Sequence, residues 1–142
     1  MSNSAATSRM EPVGRPSSED LLDLRYLAEA AEGDVEFIAS ILHDYLKGTG
    51  GQLEQLHGAL LAQDGDAVRR LAHSVKGASA SVGATRVMEA ASRLEDLVRV
   101  EGMERADELA FAVTCEFRRL EAYLAAQGEA AFLVSSHLAL PA

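Results

Sequence analysis

The sequence predicts an all-α fold, a bundle of amphipathic helices joined by short connections. Three observations carry that expectation. Aromatic residues are only 5% of the 142 residues and Trp is absent, whereas Ala and Leu recur throughout, a balance that suits packed helices better than strands. Apolar residues return at three- and four-residue steps in one stretch after another, which is the period of a helix with one buried stripe. No alternating run or hairpin turn competes with these stretches.

Residues 1–17 are rich in Ser, Gly and Pro without apolar periodicity and read as a disordered leader. The folded part is expected from residue 18 to residue 126. Ser17, Ser18 and Asp20 are possible N-caps for a short first helix carrying Leu21, Leu24 and Leu27. Gly33 and Asp34 punctuate it, and a second helix follows from Val35 through Ile38, Ile41, Leu42, Tyr45 and Leu46, with the KGTGG run at 47–51 as its expected end. A third carries Leu53, Leu56, Leu60 and Leu61 and stops at Asp64-Gly65-Asp66, whose second Asp can cap the next helix. The fourth runs from about Ala67 to Val82 with Gly83 as its break. The fifth uses Val87, Ala90, Ala91, Leu94, Leu97 and Val98 and ends by Gly102; the sixth uses Leu109, Val113, Phe117, Leu120 and Leu124 and ends near Gly128. Residues 127–142 form an apolar tail, expected to be frayed at the terminus rather than, as the alternative, a strip docked on a partner.

The chain has the size of one ordinary domain. Its 13 Lys and Arg against 22 Asp and Glu give a formal net charge of -9, which opposes binding to nucleic acid or an anionic membrane. One cysteine, Cys115, cannot form an internal disulfide, and the N-terminal stretch lacks the apolar run of a signal peptide or membrane span. A cytoplasmic, monomeric protein is the expectation.

The spaced signatures of metal, nucleophile and phosphate-loop chemistry (HExxH, GxSxG, GxxxxGK[ST], CxxC) are missing. Four histidines remain. His43 adjoins Asp44 and so points to a different face, His57 has no ligand partner three or four residues on, and His137 falls in the tail. No metal site is expected. His73 differs. At about 100° per residue, Val68, Leu71, Val75, Ala78 and Val82 fall within about 40° of the direction opposite it, so His73 is aimed at solvent from the middle of the outer face. Arg69, Arg70, Lys76, Gly77 and Ala80 surround it there. Three cations thus cluster in an acidic chain, and the small residues leave the ring uncovered. Gly77 inside a helix costs about 1 kcal/mol relative to Ala, which calls for a local reason: close approach of another molecule, or relief of packing against a neighbouring helix.

The segment AHSVKGASASVGA, Ala72 to Ala84, resembles the signature of histidine-containing phosphotransfer (HPt) domains of bacterial two-component phosphorelays, His-x-x-Lys-Gly-x-x-x-x-x-Gly, through His73, Lys76, Gly77 and Gly83. GDVEFIASILHDYL before it and SRLEDLVR after it look like that family's flanking helices, so the likeness spans about residues 18–126. It departs from many members at Ala78 and Ser81. The resemblance implies an antiparallel four-helix bundle with one or two additional short N-terminal helices, and a phosphocarrier without a kinase domain of its own, with His73 phosphorylated from, and giving to, an aspartyl phosphate on a receiver domain. Response-regulator receivers and a hybrid sensor histidine kinase are the implied partners. Neutral imidazole offers an unshielded nitrogen lone pair near neutral pH, and phosphoryl transfer is catalysed mainly by positioning and charge. Lys76 would neutralise phosphoryl charge and Gly77 would admit the partner's loops with their Asp and Mg²⁺; no cofactor is expected on this chain. Arg69, Arg70, Ala80, Val82, Gly83 and Arg86, with an exposed apolar rim near Val82, are the expected docking surface.

The alternative reading is a receiver-binding module that sequesters a response regulator without phosphotransfer, against which the retained His73, Lys76 and Gly77 argue. An enzyme is disfavoured. About 16 residues beyond the bundle leave no room for an ATP-binding domain, and the Glu and Glu-x-x-His sets of a bundle metal centre are missing.

Overall fold

The computed structural model describes residues 21–127 as five helices: α1 Leu24–Ala30, α2 Val35–Leu61, α3 Gly65–Val82, α4 Thr85–Glu101 and α5 Ala106–Gln127. The connections from α2 onward are only a few residues long, so each helix must run antiparallel to the one before it. The result is the expected four-helix bundle, α2 to α5, with α1 as the short N-terminal addition. Among the described residues no strand occurs, and no helix is long and apolar enough to cross a membrane. The leader at 1–17, with Ser17 and Ser18, Asp20, and the tail from residue 128 lie outside the described residues.

Three of the helices, α1, α2 and α3, start after aspartates. The side chains of Asp23, Asp34 and Asp64 accept the backbone N–H of Tyr26, Phe37 and Ala67 at 3.0, 3.1 and 3.1 Å, satisfying one of the donors that a first turn leaves open. In the Asp64-Gly65-Asp66 turn the first Asp is therefore the cap, not the second, because α3 already begins at Gly65. The ends of α3 and α4 fall at Gly83 (φ 77°) and Gly102 (φ 87°), left-handed conformations in which a side chain would be strained.

One expectation fails. KGTGG does not end a helix: α2 is a single 27-residue helix through Lys47, Gly48, Thr49, Gly50 and Gly51. Each glycine costs up to about 1 kcal/mol there, but a tertiary contact outweighs local propensity. Gly50 faces the Phe117 ring, which a Cβ would touch at 3.9 Å, and Thr49 is buried. Phe117 in turn sits 6.2 Å, centroid to centroid, from the tilted ring of Tyr45. α2 packs here against the largest core side chain of α5, so breaking the helix would open the core.

The core draws one stripe from each helix: Ile38, Leu42, Tyr45 and Leu56 of α2; Val68, Ala72, Val75 and Val82 of α3; Val87, Ala90, Ala91, Leu94 and Leu97 of α4; Ala106, Ala110, Val113, Phe117 and Leu120 of α5. Leu71 and Ala78, expected in the α3 stripe, lie at its half-buried edge, and Ala72 and Ser79 take the centre. Ser79 is fully buried, yet its hydroxyl is paired with the Tyr45 hydroxyl at 2.7 Å. Burial pushes the Tyr45 phenol up to about 12, so it remains a neutral hydrogen-bonding group at any ordinary pH. Tyr45→Phe is expected to cost about 1–2 kcal/mol, because it strands the Ser79 hydroxyl without water. Urea denaturation measures this, and an unchanged midpoint would contradict the role given to the pair.

Candidate functional site

α3 holds His73 where the wheel puts it: with Val68, Ala72, Val75 and Val82 packed inward, the imidazole at the centre of the opposite face is 66% exposed. What the sequence reading missed is its partner. Glu95 of α4 stands beside the core residue Leu94, only 14% exposed, and its two carboxylate oxygens are divided between two residues of α3. Oε2 lies 2.9 Å from His73 Nδ1 and Oε1 lies 2.8 Å from Lys76 Nζ. The Lys76 ammonium, with smaller help from His73, holds the Glu95 carboxyl below the usual carboxylate range against the upward push of burial. An ionised carboxylate only accepts hydrogen bonds, so Nδ1 must donate to it. In the neutral ring the lone pair is then on Nε2, the nitrogen facing away from Glu95.

The charge around His73 is correspondingly more balanced than its sequence neighbours suggest. Lys76 is paired with Glu95, and Arg69 is within 4.0 Å of Asp66 in an exposed contact, a kind that contributes little. On the other flank Gln52 of α2 donates to the Ser74 hydroxyl at 2.6 Å. That bond and the Tyr45–Ser79 bond bracket Gly48 of α2 and Gly77 of α3 at one height along the bundle. Both glycines are exposed, and a Cβ added at either meets nothing within 4 Å. Relief of packing therefore does not explain Gly77. The surface beside the imidazole is bare for want of side chains, with Ala80 continuing it.

The expected docking residues divide. Arg70 and Ala80 are exposed and Arg69 half-buried on the His73 face. Val82 and Gly83 are corrected: Val82 is 5% exposed, and Gly83 is covered by the lead-in to α1. The Asp23 N–H donates to the Gly83 carbonyl at 2.8 Å, and a Cβ on Gly83 would stand 3.1 Å from Asp23 and 3.3 Å from Tyr26. No apolar rim is open at Val82; the exposed apolar side chain there belongs to Tyr26. Arg86 is corrected as well. Its Nε and Nη2 donate to the two oxygens of Glu116 at 3.0 and 3.1 Å, and Glu116 also accepts from Arg119 at 3.2 Å. Arg86 thus ties α4 to α5. His43 and His57 are exposed, His137 lies outside the described residues, and the described residues contain no group of three or more side chains able to hold a metal ion.

In sequence, Glu95 is one of several acids just off an apolar stripe; Glu89 and Asp96 on the same helix have equal claim. Only the rotation of α4 against α3 selects it.

The family model described as Hpt domain matches residues 40–130, a range that contains His73, Lys76, Gly77, Gly83 and Glu95. Among solved structures, the crystal structure of histidine-containing phosphotransfer protein B from Pseudomonas aeruginosa PAO1 is similar, with a TM-score of 0.68 and 31% sequence identity, covering 72% of this chain and 90% of that one. A search of curated proteins finds no match.

The Arg86–Glu116 fork makes a pH prediction. Arg86 holds the Glu116 carboxyl below its ordinary value of 4.5, so the folded state favours the ionised form. The resulting stabilisation is present above 4.5 and is lost as the pH falls through the lower folded-state value. Glu116→Gln is expected to destabilise the bundle by about 1–2 kcal/mol at pH 7, more than an exposed pair contributes because both groups are largely buried. The gap to the parent protein should close in acid. Urea titrations at neutral and acidic pH test this; equal stabilities at pH 7 would refute it.

Proposed function

The chain belongs to the Hpt domain family, and from that premise we propose that it is the phosphocarrier of a two-component phosphorelay with His73 as the residue that holds the phosphoryl group. The observation that carries this reading is the division of Glu95 between His73 Nδ1 and Lys76. A carrier imidazole must be exposed, must present a lone pair on one nitrogen and must keep its proton on the other; exposure of the ring and the Glu95 contact at Nδ1 support all three.

Nε2 attacks the phosphorus of a receiver's aspartyl phosphate. The N–P bond forms as the bond from phosphorus to the aspartyl oxygen breaks, and the aspartate carboxylate leaves with that electron pair. The proton on Nδ1 stays there, so the ring becomes a phosphorylated imidazolium whose positive charge faces the Glu95 carboxylate. Transfer to the next receiver reverses these bond changes. Lys76, anchored by Glu95, offers its ammonium to the equatorial oxygens, on which phosphoryl transfer concentrates charge. Mg²⁺ is supplied by the receiver, which enters over the bare surface at Gly77 and Ala80. Response-regulator receivers and a hybrid sensor histidine kinase are the partners in this reading, with Arg69 and Arg70 flanking the point of contact. The protein carries the group and catalyses no turnover of its own.

Incubation with a receiver bearing a labelled aspartyl phosphate should give acid-labile, base-stable label on this protein. His73→Gln should retain the helical fold and take no label. Normal labelling of that variant would overturn the assignment, and binding without any labelling of the parent protein would favour a sequestering module instead.

Gly77 separates stability from access. Gly77→Ala should raise stability by about 1 kcal/mol, since helix propensity favours Ala and nothing obstructs the methyl. Gly77→Leu should keep the fold but slow transfer at least about tenfold, equivalent to about 1.4 kcal/mol in the barrier. Thermal denaturation and rapid-quench transfer rates measure the two effects. A Leu variant transferring at the parent rate would remove the access role.

A further inference from the structure

The seam between α2 and α5 is the least closely packed in the bundle. It opens into a groove of about 520 Å³ near the C-terminal end of α2, lined by Leu53, Leu56, Leu60, Ala110, Phe111 and Thr114. A second of about 690 Å³ continues it past Gly50, Gly51 and Phe117, where Lys47, Glu54, Arg118 and Glu121 make the rim charged, so the apolar part is the first groove. Leu61 and Phe111, on facing helices at the first groove, are 75% and 69% exposed. Exposed large apolar side chains beside an apolar groove mark a surface that something covers.

We propose that residues 128–142 of this same chain occupy the groove. The segment reads GEAAFLVSSHLALPA: one charged side chain, Glu129, and the apolar Phe132, Leu133, Val134, Leu138 and Leu140. It is far more apolar than a solvated terminus requires, and the function proposed for His73 makes no use of it. It leaves α5 at Gln127, on one of the two helices that form the seam. Phe111 lies 16 residues back along α5 from that point, about 24 Å at the helical rise. Fifteen residues reach roughly 50 Å when extended, so the segment can turn at Gly128 and run back along the groove with length to spare.

The same chain is favoured over a second copy for two reasons. A tethered segment is present at an effective concentration of the order of millimolar. Two copies, each with a net charge of -9, repel one another. His73 projects where α3 meets α4 through Glu95, away from the α2–α5 seam, so the occupied groove leaves the phosphotransfer face open.

Cys115 on α5, next to Thr114 of the groove, is the chain's one cysteine and takes a nitroxide label without other substitutions. In the full chain the label should strongly broaden the amide resonances of residues 132–140. Phe111→Glu, at an exposed position, should abolish that broadening. A chain ending at Gln127 should bind more of an apolar fluorescent dye such as anilinonaphthalene sulfonate than the full chain, while accepting label from a phosphorylated receiver at the same rate. Unbroadened segment resonances together with unchanged dye binding would overturn the proposal. Broadening seen only between separately labelled copies in a mixed sample would also overturn it, in favour of a dimer. Failure of phosphotransfer in both chain lengths would count against the role of His73 and leave the dye and broadening results to be read by themselves.

Discussion

A helix of period 3.6 cannot bury one face without presenting the opposite one, and α3 turns this constraint into a site. Val68, Ala72, Val75 and Val82 are each at most 5% exposed, and together they fix the rotation of α3 between α2 and α4. The imidazole is outward because the valines are inward. Anything that loosened this packing would blur the direction of Nε2 as well as the stability of the bundle, so the core and the candidate site depend on the same contacts.

On that frame a single carboxylate does two jobs. Glu95 accepts from His73 Nδ1 and pairs with the Lys76 ammonium; in the proposed transfer the first contact leaves Nε2 as the nucleophile and the second holds the cation for the phosphoryl charge. Its partial burial strengthens both contacts, since charges interact more strongly away from water. In the proposed transfer the charge that meets the phosphoryl group is set locally by Lys76 and Glu95 as a pair, not by the total of -9. Arg86 and Glu116 repeat the device between α4 and α5, where it serves only to hold helices together.

Glycine appears in three physical settings. At Gly83 the left-handed backbone and the contact with Asp23 demand it; at Gly50 the helix lies at ordinary contact distance from the Phe117 ring; at Gly77 neither applies, and the space above it is open. The first two face the fold itself. The third gives up helix stability with no packing reason, and the access proposed for a partner is what would account for it.

Periodicity was enough to read the helical class, the last three bundle helices and the outward direction of His73, because these follow from residues near one another in the chain. The HPt resemblance rested on spacing within α3, which is equally local. The continuity of α2 was not legible: three glycines in five residues, Gly48, Gly50 and Gly51, are a helix end by local propensity, and it is the packing of Tyr45, Thr49 and Leu56 in the core on either side of them that carries the helix through. Nor was Glu95 legible, since His73 and Glu95 lie 22 residues apart and meet through the relative rotation of two helices. Val82, Gly83 and Arg86 changed from surface to structure for the same reason, each being covered or bonded by α1 or α5. Sequence by itself determined which way each helix faces its own core; the tertiary structure decided which side chains meet across helices, because that depends on rotations and heights that no single helix encodes.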